Sequence, residues 1–249
     1  MRRFAILSTV LALAMISCAP QESLNPLCTN EEAIAEPALA GDWQLTDSDD
    51  VFEIVGRWQA LAAADPQIAN DPSSAPPDSR SYAILYIEAK SKRVSAFEGR
   101  LVRIGDDFFL DVIPTQVPVD ADFKYFPVAR SEDGAPPQFT RVSELFFMTL
   151  VPSQPGESSA SQDGPCEIRL VAAHVFLKIQ LEDDGLRLAW LDRDWMQEMI
   201  EQGRISIDHQ QTGDTMLLTA SPESLQDLVQ QFSNDPQAFK EIGEWRRKR

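Results

Sequence analysis

Apolar positions along this chain alternate in its middle and fall at helical spacing near its end. Val171, Ala173, Val175, Leu177, Ile179 and Leu181 occupy every second position of 167–181. Side chains two apart share one face of a strand, so this stretch predicts a long half-buried strand. Asp183-Asp184-Gly185 supplies the turn, and Leu186, Leu188 and Trp190 return on a partner strand. Residues 82–89 are aromatic and β-branched, as strands favour. A polar turn at 90–93 leads to a second strand over 94–104, with Gly99 inside it at a bulge position. Gly105-Asp106-Asp107 turns into a third strand at 108–113. Earlier, 51–58 reads as a first strand and the Ala-rich 59–64 as a short helix. Leu145-Phe146-Phe147-Met148 marks a buried strand within 139–151.

The period then changes. Asp192 can cap a helix that places Trp195, Met196, Met199 and Ile200 on one side. Ser221-Pro222 has the order of an N-cap followed by a first helical proline, with Leu225, Leu228, Val229 and Phe232 behind it. Asp235-Pro236 repeats that order before Phe239, Ile242 and Trp245, which predicts a third helix. Residues 205–209 and 215–220 read as two short strands between the helices. Pro- and Ser-rich stretches at 65–81, 114–137 and 152–165 read as loops. The sum is an α+β chain, mainly antiparallel β. We expect a meander or partly closed barrel-like sheet with about three flanking helices, mostly C-terminal, in one domain over 41–249.

The N-terminus has a different character. Arg2 and Arg3 precede the uncharged apolar run Phe4 to Ile16, and the small Ser17 follows. That run is shorter than the ~20 residues a spanning helix needs, so 1–17 read as a cleaved signal peptide. Met15-Ile16-Ser17-Cys18 resembles the lipobox of bacterial lipoproteins. The resemblance implies cleavage before Cys18, diacylglycerol on its thiol, and a protein held to the membrane on the periplasmic side. Ala19 rather than Asp follows, which in that family points to the outer membrane. Residues 18–40, rich in Pro, Ala and Glu, read as a lipidated tether. Without the lipobox the same residues read as a plain secretory signal, with Cys18 an ordinary thiol.

Charge narrows the partners. The chain carries 22 basic and 39 acidic side chains, a net charge of -17, and loss of Arg2 and Arg3 with the signal lowers this further. A body this acidic lacks the phosphate-neutralising term on which nucleic-acid binding rests. Anionic lipid surfaces repel it too, so membrane attachment needs the lipid. Arg246-Arg247-Lys248-Arg249 runs against the trend. It reads as a solvated terminus at a helix C-terminal dipole, or as a contact for phosphate or headgroups.

The three cysteines are Cys18, Cys28 and Cys166. With Cys18 lipidated, Cys28 and Cys166 remain as a pair for a disulfide in an oxidising compartment; two free thiols is the other reading. His174 and His209 both fall in expected strands; they read as polar-face or satisfied core histidines, or, if the strands bring them together, as an acid–base or metal-ligand pair. The chain has no G-x-S-x-G, phosphate loop, C-x-x-C or H-E-x-x-H. No metal or cofactor is expected. The acid clusters Asp47, Asp49, Asp50 and Glu182, Asp183, Asp184 lack the spacing of a calcium loop and read as solvated turns.

Gly41-Asp42-Trp43 resembles the G-x-W of lipocalins, in which the tryptophan closes the base of an eight-stranded barrel. That resemblance implies a small apolar ligand in a cavity of several hundred Å3. Three readings of function follow. The first is a lipid-anchored, non-catalytic binding or scaffold protein with an envelope protein as partner. The second is a lipocalin-like carrier. The third is an envelope enzyme using His174 and His209.

Overall fold

In a computed structural model of the chain, residues 20–90, 94–115, 149–150, 170–171, 173–213 and 215–248 are described. Eight antiparallel strands close into a barrel. They are β2 (Gly41–Leu45), β3 (Val51–Gly56), β4 (Ser81–Ile87), β5 (Val94–Ile104), β6 (Asp107–Pro114), β9 (His174–Leu181), β10 (Gly185–Leu191) and β13 (Phe239–Arg247). Each pairs with the next in chain order, and β13 pairs with both β10 and β2 to shut the circle. Closure removes the free edges of those strands. Three short strands extend the sheet from β9: β1 (Glu22–Ser23), β12 (Thr215–Leu218) and β11 (His209–Thr212). A separate pair, β7 (Thr149–Leu150) and β8 (Leu170–Val171), stands apart from the barrel sheet.

Among the described residues, four helices accompany the barrel. Trp58–Ala62 (α1) and Pro66–Asn70 (α2) sit between β3 and β4. The stretch 65–81, expected as a loop, therefore holds α2 and two 3-10 turns, Pro72–Ser74 and Pro77–Ser79. Asp65 caps α2 through the Gln67 amide and Asp71 caps the first 3-10 turn through the Ser73 amide, so prolines here start short helices. Arg193–Glu201 (α3) and Pro222–Phe232 (α4) follow the expected caps: Asp192 accepts from the Trp195 amide, Ser221 from that of Ser224.

Two apolar clusters lie on opposite sides of the barrel wall. Inside are Trp43, Ile54, Ile84, Phe97, Leu110, Val112, Val175, Leu177, Ile179, Leu186, Leu188 and Trp245. Outside, Val102, Ile104, Phe109 and Phe176 pack against Trp195, Met196 and Met199 of α3 and Leu225, Leu228 and Val229 of α4. The outer face of β5, β6 and β9 carries Val102, Ile104, Phe109 and Phe176 because the helices cover them.

The structure corrects four expectations. The third helix is strand β13. Phe239, Ile242 and Trp245 sit three apart, but Phe239 packs outside the wall on Phe109 and Trp245 packs inside on Phe52. An extra residue in β13 opposite Leu188/Ala189 shifts the alternation and imitates a helical spacing. The Asp235 cap holds only one turn, through Gln237. Second, residues 20–40 are part of the fold and not a tether: Gln21, Ser23, Leu27, Cys28, Ala33 and Leu39 are buried, and β1 lies between β9 and β12. Third, Gly99 marks no bulge. It stays in register with Tyr82 and Val112, and a Cβ there would meet Ile84 Cδ1 at 2.8 Å. Fourth, Arg246 and Arg247 belong to β13, not to a helix end, and the Lys248 amide donates to Asp42 O at 2.8 Å.

Candidate functional site

The base of the barrel is built around Trp43. Gly41, with φ of 145°, opens β2, and two residues on Trp43 turns inward with no exposed surface. Its indole N–H donates to Leu39 O at 2.9 Å. The Arg247 guanidinium lies 4.4 Å from its ring centre and donates to the carbonyls of Ala38 and Ala40. One cation thus stacks on the indole and ties the last strand to the chain entering the first. Trp58 meets Tyr82 edge-on at 4.9 Å, and the Tyr82 hydroxyl accepts from the Glu36 amide at 2.7 Å. Burial raises the pKa of that hydroxyl well above its ordinary value.

The interior is filled. Its apolar cavity, lined by Leu39, Phe52, Ile54, Ile84, Phe97, Leu110, Val112, Leu177 and Leu188, measures about 30 Å3. That is the room of a water molecule or two, and the lining offers no polar partner to hold one. The several-hundred-Å3 space expected for a carried ligand is not found among the described residues. Phe52, Tyr86 and Trp245 cluster with centroids 4.3–6.4 Å apart. Tyr86 donates to Asp50 Oδ2 at 2.9 Å, and burial followed by that bond raises its hydroxyl pKa.

The structure does not bring the two histidines together. His174, Ser23, Leu218 and His209 face one another in register across β9, β1, β12 and β11. Three strand spacings separate the histidines by about 14 Å. His209 is exposed, with Nδ1 2.8 Å from Ile207 O. His174 is buried, with Nδ1 2.8 Å from Asp111 Oδ1. Asp111 is buried too, and its Oδ2 accepts from the Leu27 amide at 2.9 Å. Nothing in the sequence singles out Asp111: it alternates with apolar residues in β6 as any outward strand residue would. Its carboxylate fastens the N-terminal segment to the wall.

Cys28 lies beside this carboxylate with 1% of its surface exposed. Burial, then the negative charge of Asp111, pushes its thiol up to about 12. A thiol that stays protonated is a poor nucleophile. Its expected partner Cys166 lies outside the described residues, as does Cys18.

Polar grooves open on the outer surface among the described residues. One, of about 290 Å3, runs past Lys178, Gln180, Arg187, Ser233 and Asp235. Lys178, nearly buried at its floor, donates to Ser233 O at 2.7 Å and pairs with Asp107 at 3.0 Å, which pins the end of α4 to the wall. Another, of about 410 Å3, separates 204–208 from Ser224, Asp227 and Gln231 of α4. Beside it runs β11, exposed along its length and, among the described residues, paired on one side by β12. Among the described residues no group of His, Cys, Asp or Glu is arranged to hold a metal. No known family, curated protein or solved structure matches this chain.

Proposed function

We propose that this is a lipid-anchored protein of the cell envelope, held at the periplasmic side of the outer membrane through Cys18, whose barrel is a rigid binding or scaffold module. The signal-like residues 1–17 and Cys18 support the anchor. The observation that carries the role is the filled barrel: with about 30 Å3 inside, recognition falls to the outer surface. The 14 Å spread of the histidines disfavours the acid–base pair, which needs hydrogen-bond reach. The Trp43 base resembles that of the lipocalin-like carrier, the second reading, and the interior of about 30 Å3 counts against it.

The anchor is tested by replacing Cys18 with Ala and following membrane fractionation and intact mass. We expect the variant to leave the membrane fraction and lose the acyl mass; a variant still membrane-bound at the acylated mass overturns the anchor. Native mass spectrometry of protein taken from the envelope separates the two roles. A bound apolar molecule at stoichiometric occupancy would establish the carrier. The Cys28–Cys166 disulfide belongs to the same proposal. It fails if both thiols can be alkylated in the unfolded, unreduced chain.

A further inference from the structure

The chain enters the fold at once after the lipidation position. Pro20 forms an antiparallel bridge with Asp192, the cap of α3. The Gln21 amide donates to Leu191 O at 2.8 Å, and its buried side chain donates to Met216 O at 3.0 Å. Glu22 and Ser23 then pair with β9 on one side and β12 on the other. Only Ala19 stands between Cys18 and Pro20. Two residue steps span at most about 7 Å. A lipid on Cys18 is therefore tied to the Asp192 corner by a link about as long as a headgroup layer is deep.

We propose that the barrel rests directly on the bilayer, with the corner formed by Pro20, the α3 cap and the turn 235–238 against the phospholipid headgroups. This rests on the lipid-anchor reading. The turn belongs to the same corner because the Asp192 amide donates to Ala238 O at 2.8 Å. Pro236, Gln237 and Asp194 are exposed there. The opposite pole follows from register. Val175 pairs with Glu22, and the exposed hairpin residue Asp183 lies eight residues further along the chain, just past the end of β9. At a strand's rise that is about 26 Å away. The occupant is the zwitterionic headgroup surface rather than an anionic one. A mature body of about -19, from -17 less Arg2 and Arg3, is held within a Debye length of it.

The test uses the full acylated protein in phosphatidylethanolamine/phosphatidylcholine vesicles that carry a headgroup-linked energy-transfer acceptor. Donor dyes are placed at Q237C or D183C in a C166S background, where the buried Cys28 stays unreactive. Transfer should be severalfold higher from position 237 than from 183. A Gly/Ser spacer of about twenty residues between Ala19 and Pro20 should erase the difference, since such a chain reaches well beyond the headgroups. Equal or reversed transfer in vesicle-bound, acylated protein overturns the seated orientation and leaves the anchor standing. A chain that is neither acylated nor vesicle-bound overturns the anchor, and the orientation with it.

Discussion

Replacing Asp111 with Ala should loosen the N-terminal segment before it disturbs the barrel. The carboxylate is 2% exposed and has a partner on each oxygen: the His174 ring at 2.8 Å and the Leu27 amide at 2.9 Å. Leu27 is fully buried, so its N–H has no water to turn to. A buried polar group left without a partner costs about 1–3 kcal/mol, and Ala leaves two. We expect a loss of about 3–5 kcal/mol, which for a domain of this size lowers Tm by about 10 °C. Asp111→Asn has the same shape. Its carbonyl can still accept from Leu27, and its amide can face a ring nitrogen that accepts, so it should cost about 1 kcal/mol. Thermal unfolding followed by circular dichroism ranks the three proteins. Amide exchange then locates the change: Asp111→Ala should accelerate exchange over 20–30 first. A variant that melts within a degree or two of the parent, or whose faster exchange spreads evenly over the barrel strands, would refute the reasoning.

Four further outcomes are expected. Arg247→Ala removes the stack on Trp43 and the bonds to Ala38 and Ala40, and should cost about 2–3 kcal/mol in thermal unfolding. Arg247→Lys should recover only part of that, because an ammonium cannot bridge both carbonyls while lying flat on the ring. Gly99→Val forces a side chain towards Ile84 and Leu110 and should destabilise by about 1–3 kcal/mol in a denaturant titration. Cys28 should resist iodoacetamide at pH 8 in the native chain and react once unfolded and reduced, as read by mass; native labelling would contradict its burial. Asp50 has a lowered pKa, because bonds from the Ala89 amide, Tyr86 and Ser48 outweigh the opposing effect of burial. Its folded pKa lies below the unfolded value near 4, so its contribution is present above about pH 4 and fades as pH falls through the folded pKa. The Ala89 amide shift in an NMR acid titration should report that loss, and a flat shift down to pH 2 would count against it.

The meander was legible because its strands are rich in aromatic and β-branched residues, are separated by short polar turns and pair without a bulge. From β4 to β6 the sequence boundaries and the observed ones differ by a residue or two, and the two capped helices begin where Asp192 and Ser221 put them. What stayed hidden was long-range. The closing strand β13 contains an extra residue and buries Phe239 and Trp245 on different faces, so its local spacing imitates a helix. Residues 20–40 look like a tether because short polar and Pro-rich composition says nothing of partners supplied by β9, β12 and β6. Arg247 looked like a solvated tail residue; its indole and carbonyl partners lie some two hundred positions away. The histidines were visible, but their separation depends on β1 and β12 being inserted between them. Asp111 carried no signal, since an outward acid in a strand is ordinarily solvated.

The same insertion connects fold to role. A barrel on a long leash could meet partners anywhere in the periplasm, and its own orientation would be irrelevant. Stitching Pro20 to Asp192 and Glu22 to Val175 removes that freedom. If the lipid sits on Cys18, the far hairpin at Asp183 stands roughly 30 Å from the headgroups, the sum of a two-residue link and the eight residues from Val175 to that hairpin. Every outer groove and the exposed edge of β11 then lie within that distance of the membrane, at heights set by the sheet. The partners such a surface can serve are membrane-proximal, and lengthening the link should weaken their capture without altering the barrel. Thermal stability unchanged by the spacer, with crosslinking to envelope proteins reduced, is the expected pair of results; crosslinking that survives the spacer would mean the partner is reached from solution.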